Sequence, residues 1–341
     1  MKPRSEKIAD FILKNISQYP QNLAAITAKH FGISRTSVHR HIDRLVHQNK
    51  IIKSGDRRQV RYMEANAKEK SFVFKRHLSE SDVWDKYISS NMLGLPENVF
   101  EIIHYGFTEI FNNAIEHSAS QNIFVSIQQE NDKIQIIIQD KGMGIFERIS
   151  QTYHFSDYKE CLLHLTKGKL TTDPINHTGE GLFFTSRLFD ECLIEANGIG
   201  FYRNNLLEDW SVEKSSLQKG TKVSLTLSKN SKRKIIDIFS RHTNLETLKF
   251  DKTELLVDLS QLEGERLISR SQAKRLLSRL EPFDRVTLDF SKVAAVGQGF
   301  VDEIFRVYPL KHPCTIIHYI HANEEVEFMI KRGLDDKPKN R

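Results

Sequence analysis

Residues 108–117 read TEIFNNAIEH. Phe107, Ile110, Phe111, Ala114 and Ile115 recur mostly at helical spacing, so the pattern predicts an amphipathic helix over residues 105–117. On such a helix Glu109 and Asn113 stand one turn apart on one face, with Asn112 and Glu116 as a second pair beside them. Mg2+ takes oxygen ligands and keeps several waters, so one carboxamide oxygen plus phosphates suits it. A neighbouring carboxylate can take the proton of a water that attacks a phosphate. The same pattern also fits a helix with a solvated polar face. The segments downstream have to choose between the two.

Residues 134–139 (IQIIIQ) are β-branched and read as a strand ending in Asp140, with Gly142 and Gly144 just beyond. A carboxylate at a strand end can accept a hydrogen bond from an exocyclic amine such as that of adenine. Glycines let backbone approach a flat base closely. Residues 177–182 read HTGEGL and precede a helical pattern over 182–190. Glycines just before a helix leave backbone N–H groups for phosphate. Gly220-Thr221 opens a strand over 222–227. Taken singly, each of these is also an ordinary turn.

In their order and spacing these segments resemble the Bergerat-fold (GHKL) ATPases, the group of gyrase, the heat-shock chaperones, histidine kinases and anti-sigma-factor kinases, over about residues 97–228. The resemblance implies ATP and Mg2+. It makes Glu109 the general base, Asn113 the metal ligand and Asp140 the acceptor of the adenine amine. Gly142 and Gly144 would lie beside the base, Gly179 and Gly181 under the phosphates, and Thr221 would support Asp140. Asn112, Thr178 and Leu182 join the nucleotide-binding set. Residues 145–178 would form a flexible lid, whose Lys167 and Lys169 either reach phosphate or stay solvated. The sequence contains no G-x-x-x-x-G-K-[ST] motif of the P-loop type.

The charge is uneven. The chain has 341 residues and a net charge of +6, and residues 1–66 hold 13 Lys/Arg against 5 Asp/Glu. Three short helical patterns, over 5–16, 22–31 and 34–48, are followed by strand, turn and strand. Ser34 suits an N-cap for the third. This arrangement resembles a winged helix-turn-helix domain. It would place Arg35, Thr36, Ser37, His39 and Arg40 in a DNA major groove, and Arg57, Arg58 and Arg61 of the wing against phosphate or the minor groove. A basic helical domain that binds protein is the alternative.

Residues 67–96 read as a linker with one helical pattern over 79–90. Beyond 228 the run SKNSKRK marks a boundary, and residues 229–341 alternate strand and helix as a small α/β layer. The stretch VTLDFSKVAAVGQGFVDEIF resembles STAS-like domains, in which a serine accepts phosphate from a partner kinase. Gly297-Gln298-Gly299 occupies that turn here and carries no hydroxyl, so the domain reads as a module for a protein partner.

The expected fold class is thus α/β and α+β multidomain: a winged helix, a Bergerat-fold α/β sandwich and a small STAS-like α/β domain. No apolar run reaches 18 residues, residues 1–10 (MKPRSEKIAD) lack a signal-like apolar stretch, and Cys161, Cys192 and Cys314 are scattered. A cytoplasmic protein with reduced thiols is expected. His312, Cys314, His318 and His321 lack zinc spacing. The leading expectation is an ATP-binding and ATP-hydrolysing bacterial-type regulator that couples nucleotide state to DNA or partner binding. The alternative is a protein-serine kinase of the anti-sigma-factor type acting on a separate partner. Homodimerisation stays open.

Overall fold

The computed structural model describes the chain except residues 1–3, 17–18, 49, 55–59, 65–67, 172–177, 245, 262–264 and 336–341. It forms two compact units, Met1–Ser71 with Ser126–Gln135, and Phe72–Val125 with Ile136–Arg341.

In the first unit, α1 (Arg4–Asn15), α2 (Leu23–Phe31) and α3 (Arg35–His47) precede an antiparallel pair, β1 (Ile51–Ser54) and β2 (Arg61–Glu64). Ile8, Ile12, Leu23, Val38, Ile42 and Leu45 fill its core with Ile51 and Tyr62. Gly32 ends α2 in the left-handed region at φ 62°, where a residue with a Cβ is strained. The Ser34 hydroxyl accepts the Ser37 N–H at 3.1 Å and starts α3.

β3 (Lys68–Lys75) leads to α4 (Glu80–Val83), which Ser79 caps and which runs on as a π turn and a 3₁₀ turn to Met92. α5 (Glu97–His117) follows. Its buried Val99, Ile102, Ile103, Gly106, Phe107, Ile110, Phe111 and Ala114 form one continuous stripe. Gly106 is needed there, because a Cβ would meet the Phe189 ring at 2.3 Å.

The chain continues through β4 (Asn122–Gln129), β5 (Lys133–Asp140), α6 (Ile145–Tyr153), α7 (Tyr158–Lys167) and α8 (Gly181–Leu188). Then come β6 (Glu191–Ala196), β7 (Ile199–Asn204), β8 (Asp209–Lys214) and β9 (Thr221–Ser228). One seven-stranded sheet has the order β3-β4-β5-β9-β6-β7-β8. β5 alternates intermediate and buried residues along its whole length, as a strand with one covered face must.

α9 (Ile235–His242) leads into a three-stranded parallel sheet, β10 (Lys252–Leu256), β11 (Arg285–Asp289) and β12 (Ile316–Ile320). Parallel neighbours need crossovers. α10 (Arg270–Leu277) supplies the first, and α11 (Gln298–Asp302) with α12 (Tyr308–Lys311) the second. α13 (Glu324–Asp335) closes the layer. Ser269 and Gln272 make a capping box at the start of α10. The mixed α/β multidomain class expected from the sequence is what the chain adopts. Among the described residues no helix is long and apolar enough to cross a membrane.

Candidate nucleotide site

α5 turns its polar face toward residues 178–182, and a cavity of about 290 Å³ opens between them. Glu109 and Asn113 line it from α5, Asp140 from the end of β5 and Thr221 from the start of β9. Gly144, Thr178, Gly179, Gly181 and Leu182 complete the predicted residues that reach it. Two do not: Asn112 and Gly142 are absent from the lining. Gly142 has a packing task instead, since a Cβ there would lie 1.7 Å from the Ser118 carbonyl oxygen. That close approach brings the Gly142 N–H within 2.8 Å of Asp140 Oδ1.

Asp140 is 4 % exposed. Burial pushes its carboxyl above the usual range, and hydrogen bonds from Gly142 and from the backbone and hydroxyl of Thr221 oppose that push. The Thr221 hydroxyl also accepts the Ile145 N–H at 2.9 Å, so it ties strand β9, Asp140 and the start of α6 together. A carboxylate held in so dry a place gains most from a further donor, such as an amine on a ligand.

At the other end α8 begins at Gly181, and the Glu180 side chain at its N-cap makes no capping hydrogen bond. A Cβ at Gly181 would fall 1.8 Å from Glu109 Oε2, so the helix start and the Glu109 carboxylate are in direct apposition. A Cβ at Gly179, at φ 72°, would meet the Leu170 backbone at 2.7 Å. Burial raises the Glu180 carboxyl, and the Lys169 charge partly restores it. The Tyr105 hydroxyl is pushed up by burial and then by Glu109 and Glu180. The site therefore sets a helix N-terminus beside two carboxylates, those of Glu109 and Glu180.

Residues 81–200 match the family model of the histidine kinase-like ATPase domain, and residues 272–327 match a STAS-like domain of unknown function. The chain carries a histidine-kinase-like ATPase domain and a STAS-like domain. No curated protein matches it.

The ATPase domain uses residues that its motifs did not point to. Phe239 of α9 lines the cavity although it lies beyond the expected boundary at 228. Its ring stacks on Phe184 at 3.9 Å and meets Tyr105 edge-on at 5.7 Å. Asn197, at φ 50°, accepts the Glu147 N–H and donates to the Met143 carbonyl, so it supports the start of α6. Its amide fills the place a side chain at Gly144 would take, with Oδ1 2.4 Å from the Cβ position. Neither residue had a short-range signal, because both act through the fold rather than through a motif.

The segment expected to be a flexible lid differs. Cys161, Leu162, Leu163, His164, Leu165, Thr166 and Lys167 of α7 are all buried. Neither Lys167 nor Lys169 lines the cavity. The Lys167 ammonium donates to the Ser278 carbonyl at 2.8 Å, and Lys169 to the Pro282 carbonyl at 3.1 Å. Both cations thus turn to the C-terminal domain; the solvated reading fails for the buried Lys167, whereas Lys169 stays half-exposed. Residues 172–177, including His177 of the HTGEGL stretch, lie outside the described residues.

In the first unit, Arg35, Thr36, His39 and Arg40 are exposed on α3 and Ser37 is half-buried. The His39 ring nitrogen is 3.5 Å from the Tyr62 hydroxyl. Arg61 of β2 is exposed, while Arg57 and Arg58 lie outside the described residues.

Proposed function

We propose that the protein is an ATP-binding and ATP-hydrolysing regulator of the GHKL type that couples nucleotide state to DNA or partner binding. One observation carries this reading. A single cavity joins the Glu109 and Asn113 pair of α5 to the buried Asp140 and to the glycine start of α8. In it Asp140 would take the adenine amine, with Thr221 holding the carboxylate in place. The amides at Gly179 and Gly181 would hold the phosphates. Glu109 would accept the proton of the attacking water. Mg2+ suits the donor set: Asn113 would supply one oxygen, and the ion would neutralise phosphate charge beside Glu109 and Glu180.

The match to a histidine-kinase-like ATPase domain supports the reading. The basic first unit is assigned to DNA as a winged helix-turn-helix, with α3 as its reading helix and Arg61 as a wing contact. The exposed Arg35, Thr36, His39 and Arg40 support that assignment. The STAS-like domain is assigned to a protein partner.

A melting-temperature series with ATP, ADP and Mg2+ tests the pocket, because a ligand that binds the native state raises the midpoint. Asp140→Asn is expected to abolish the rise. Glu109→Ala is expected to keep it while lowering release of phosphate by about 10²–10⁴-fold, the usual contribution of a general base. No rise for the unaltered protein overturns the reading. Label from ATP that appears on protein rather than as free phosphate would replace hydrolysis with kinase activity. For the first unit, Arg35→Ala and Arg40→Ala are expected to weaken specific DNA binding at physiological salt. Unchanged affinity in both removes the groove contact.

A further inference from the structure

Lys167, Gly168 and Lys169 are anchored at every position to the C-terminal domain. The Lys167 carbonyl accepts the Thr253 hydroxyl of β10, and its ammonium donates to the Ser278 carbonyl just past α10 at 2.8 Å. Gly168, at φ 80°, lies flat against Phe250, where a Cβ would come within 2.5 Å of the ring. Lys169 donates to the Pro282 carbonyl at 3.1 Å and lies over the rings of Phe250 and Phe283, 5.4 and 5.0 Å from their centres. Its backbone sits at φ 58°, a conformation an L-residue holds only when its surroundings impose it.

The next residues, Leu170 and Thr171, line the nucleotide cavity, and the Leu170 backbone packs on Gly179. The Glu180 carboxylate acts electrostatically on Lys169. A continuous run of contacts therefore leads from Gly179 to β10 and to residues 278–283.

We propose that Lys167, Gly168 and Lys169 form a latch by which the STAS-like domain holds the edge of the nucleotide cavity, and that a triphosphate at Gly179 and Gly181 draws Lys169 off Pro282 and loosens that hold. The inference rests on the nucleotide reading of the cavity and adds the partner: the occupant of this face is the protein's own C-terminal domain, and its grip is the output of the site. The physical reason is competition for one cation. A carbonyl and two ring faces hold Lys169 through partial charges, whereas a polyphosphate offers full ones. By linkage, whatever loosens the latch must also favour triphosphate over diphosphate.

Hydrogen exchange read by mass spectrometry on the full chain tests this, with Mg2+ and saturating non-hydrolysable ATP analogue, ADP, or no nucleotide. Amides of β10 and of residues 278–284 are expected to exchange at least about fivefold faster with the analogue than in either other state, the lower end of ordinary coupling between sites. Lys169→Met should abolish that response while peptides from α5 still respond, and Lys169→Arg should keep it. Amides in 250–284 that stay unchanged or become slower, at an occupancy shown by a raised melting point, overturn the latch alone. A melting point that no nucleotide raises overturns the nucleotide reading and the latch with it. The comparison in the unaltered protein decides even where a variant fails to fold.

Discussion

Where the ATPase domain meets the C-terminal domain, the His164 imidazole and the Lys167 ammonium are buried and the His242 imidazole is half-buried. Burial, then the charges of Lys167 and Arg279, hold His164 down to about 2. Burial and then Arg187 hold His242 down to about 3. An unfolded histidine takes its proton near pH 6.5. These two stay neutral in the fold until far lower, so the stability they contribute is complete above about pH 6.5 and is lost as pH falls from there toward 3. Each imidazole can remove about 1.4 kcal/mol per pH unit. Urea midpoints at pH 7 and pH 5 are expected to show that loss, and His164→Gln should reduce it by the share of one proton.

Lys167, 1 % exposed, acts in the same sense over a higher pH range. Burial and the Arg279 charge hold it at about 7, so the unfolded chain binds its proton more tightly than the fold does. Stability therefore rises with pH from 7 to 10.5, again by about 1.4 kcal/mol per unit. Lys167→Met, which removes a desolvated charge from an apolar site, is expected to leave stability at pH 7 equal or higher and to abolish that rise in denaturant titrations. A loss of several kcal/mol at pH 7 would show that the bond to Ser278 outweighs the cost of burying the charge.

Among the elements, α5 and α8 meet where Gly181 faces Glu109. The displaced atoms in Gly181→Ala would be the far end of a flexible side chain, with Oε2 1.8 Å from the new Cβ. The helix should survive and the carboxylate should move. The expected result is a melting point within a few degrees of the original and a turnover reduced by about 10²-fold, the scale for losing a placed general base. An unchanged turnover would remove Glu109 from the reaction. Gly106→Ala should behave differently, since its Cβ would strike the buried Phe189 ring. Overpacking of this kind costs about 1–3 kcal/mol and should show in the denaturant midpoint.

The same elements show how much was legible. α5 read directly because its buried face is one stripe at helical spacing. β5 read directly because its residues alternate. The Ser34 cap also announced its helix. α7 did not read, because His164, Thr166 and Lys167 are buried beside its apolar residues. Period analysis finds one covered face, and α7 is covered on more than one.

For the whole molecule, the ATPase domain does not stop where its motifs stop. Phe183 and Phe184 of α8 are 2 % and 0 % exposed. Their cover is Phe239, His242 and Phe250, all beyond residue 228. A chain ended at Ser228 would return those rings to water at roughly 1.5–3 kcal/mol for each side chain. It would also remove the Phe239 wall of the cavity. Such a truncation is expected to melt well below the full chain and to lose its response to nucleotide. An unaltered melting point and response would show that the C-terminal domain lends the pocket nothing.

Sequence alone settled that α5 is a helix and β5 a strand, which side chains of α5 share a face, and which glycines let backbone come close. These depend on neighbours within a few residues, where periodicity and φ preferences act. It could not settle that Lys167 and Lys169 turn from the phosphates to carbonyls 111 and 113 residues away, nor that Phe239 closes the cavity. Those outcomes depend on which surface docks over α7 and α8. Once docked, that surface removes water from both faces of a helix and makes distant carbonyls the nearest partners a buried ammonium can find.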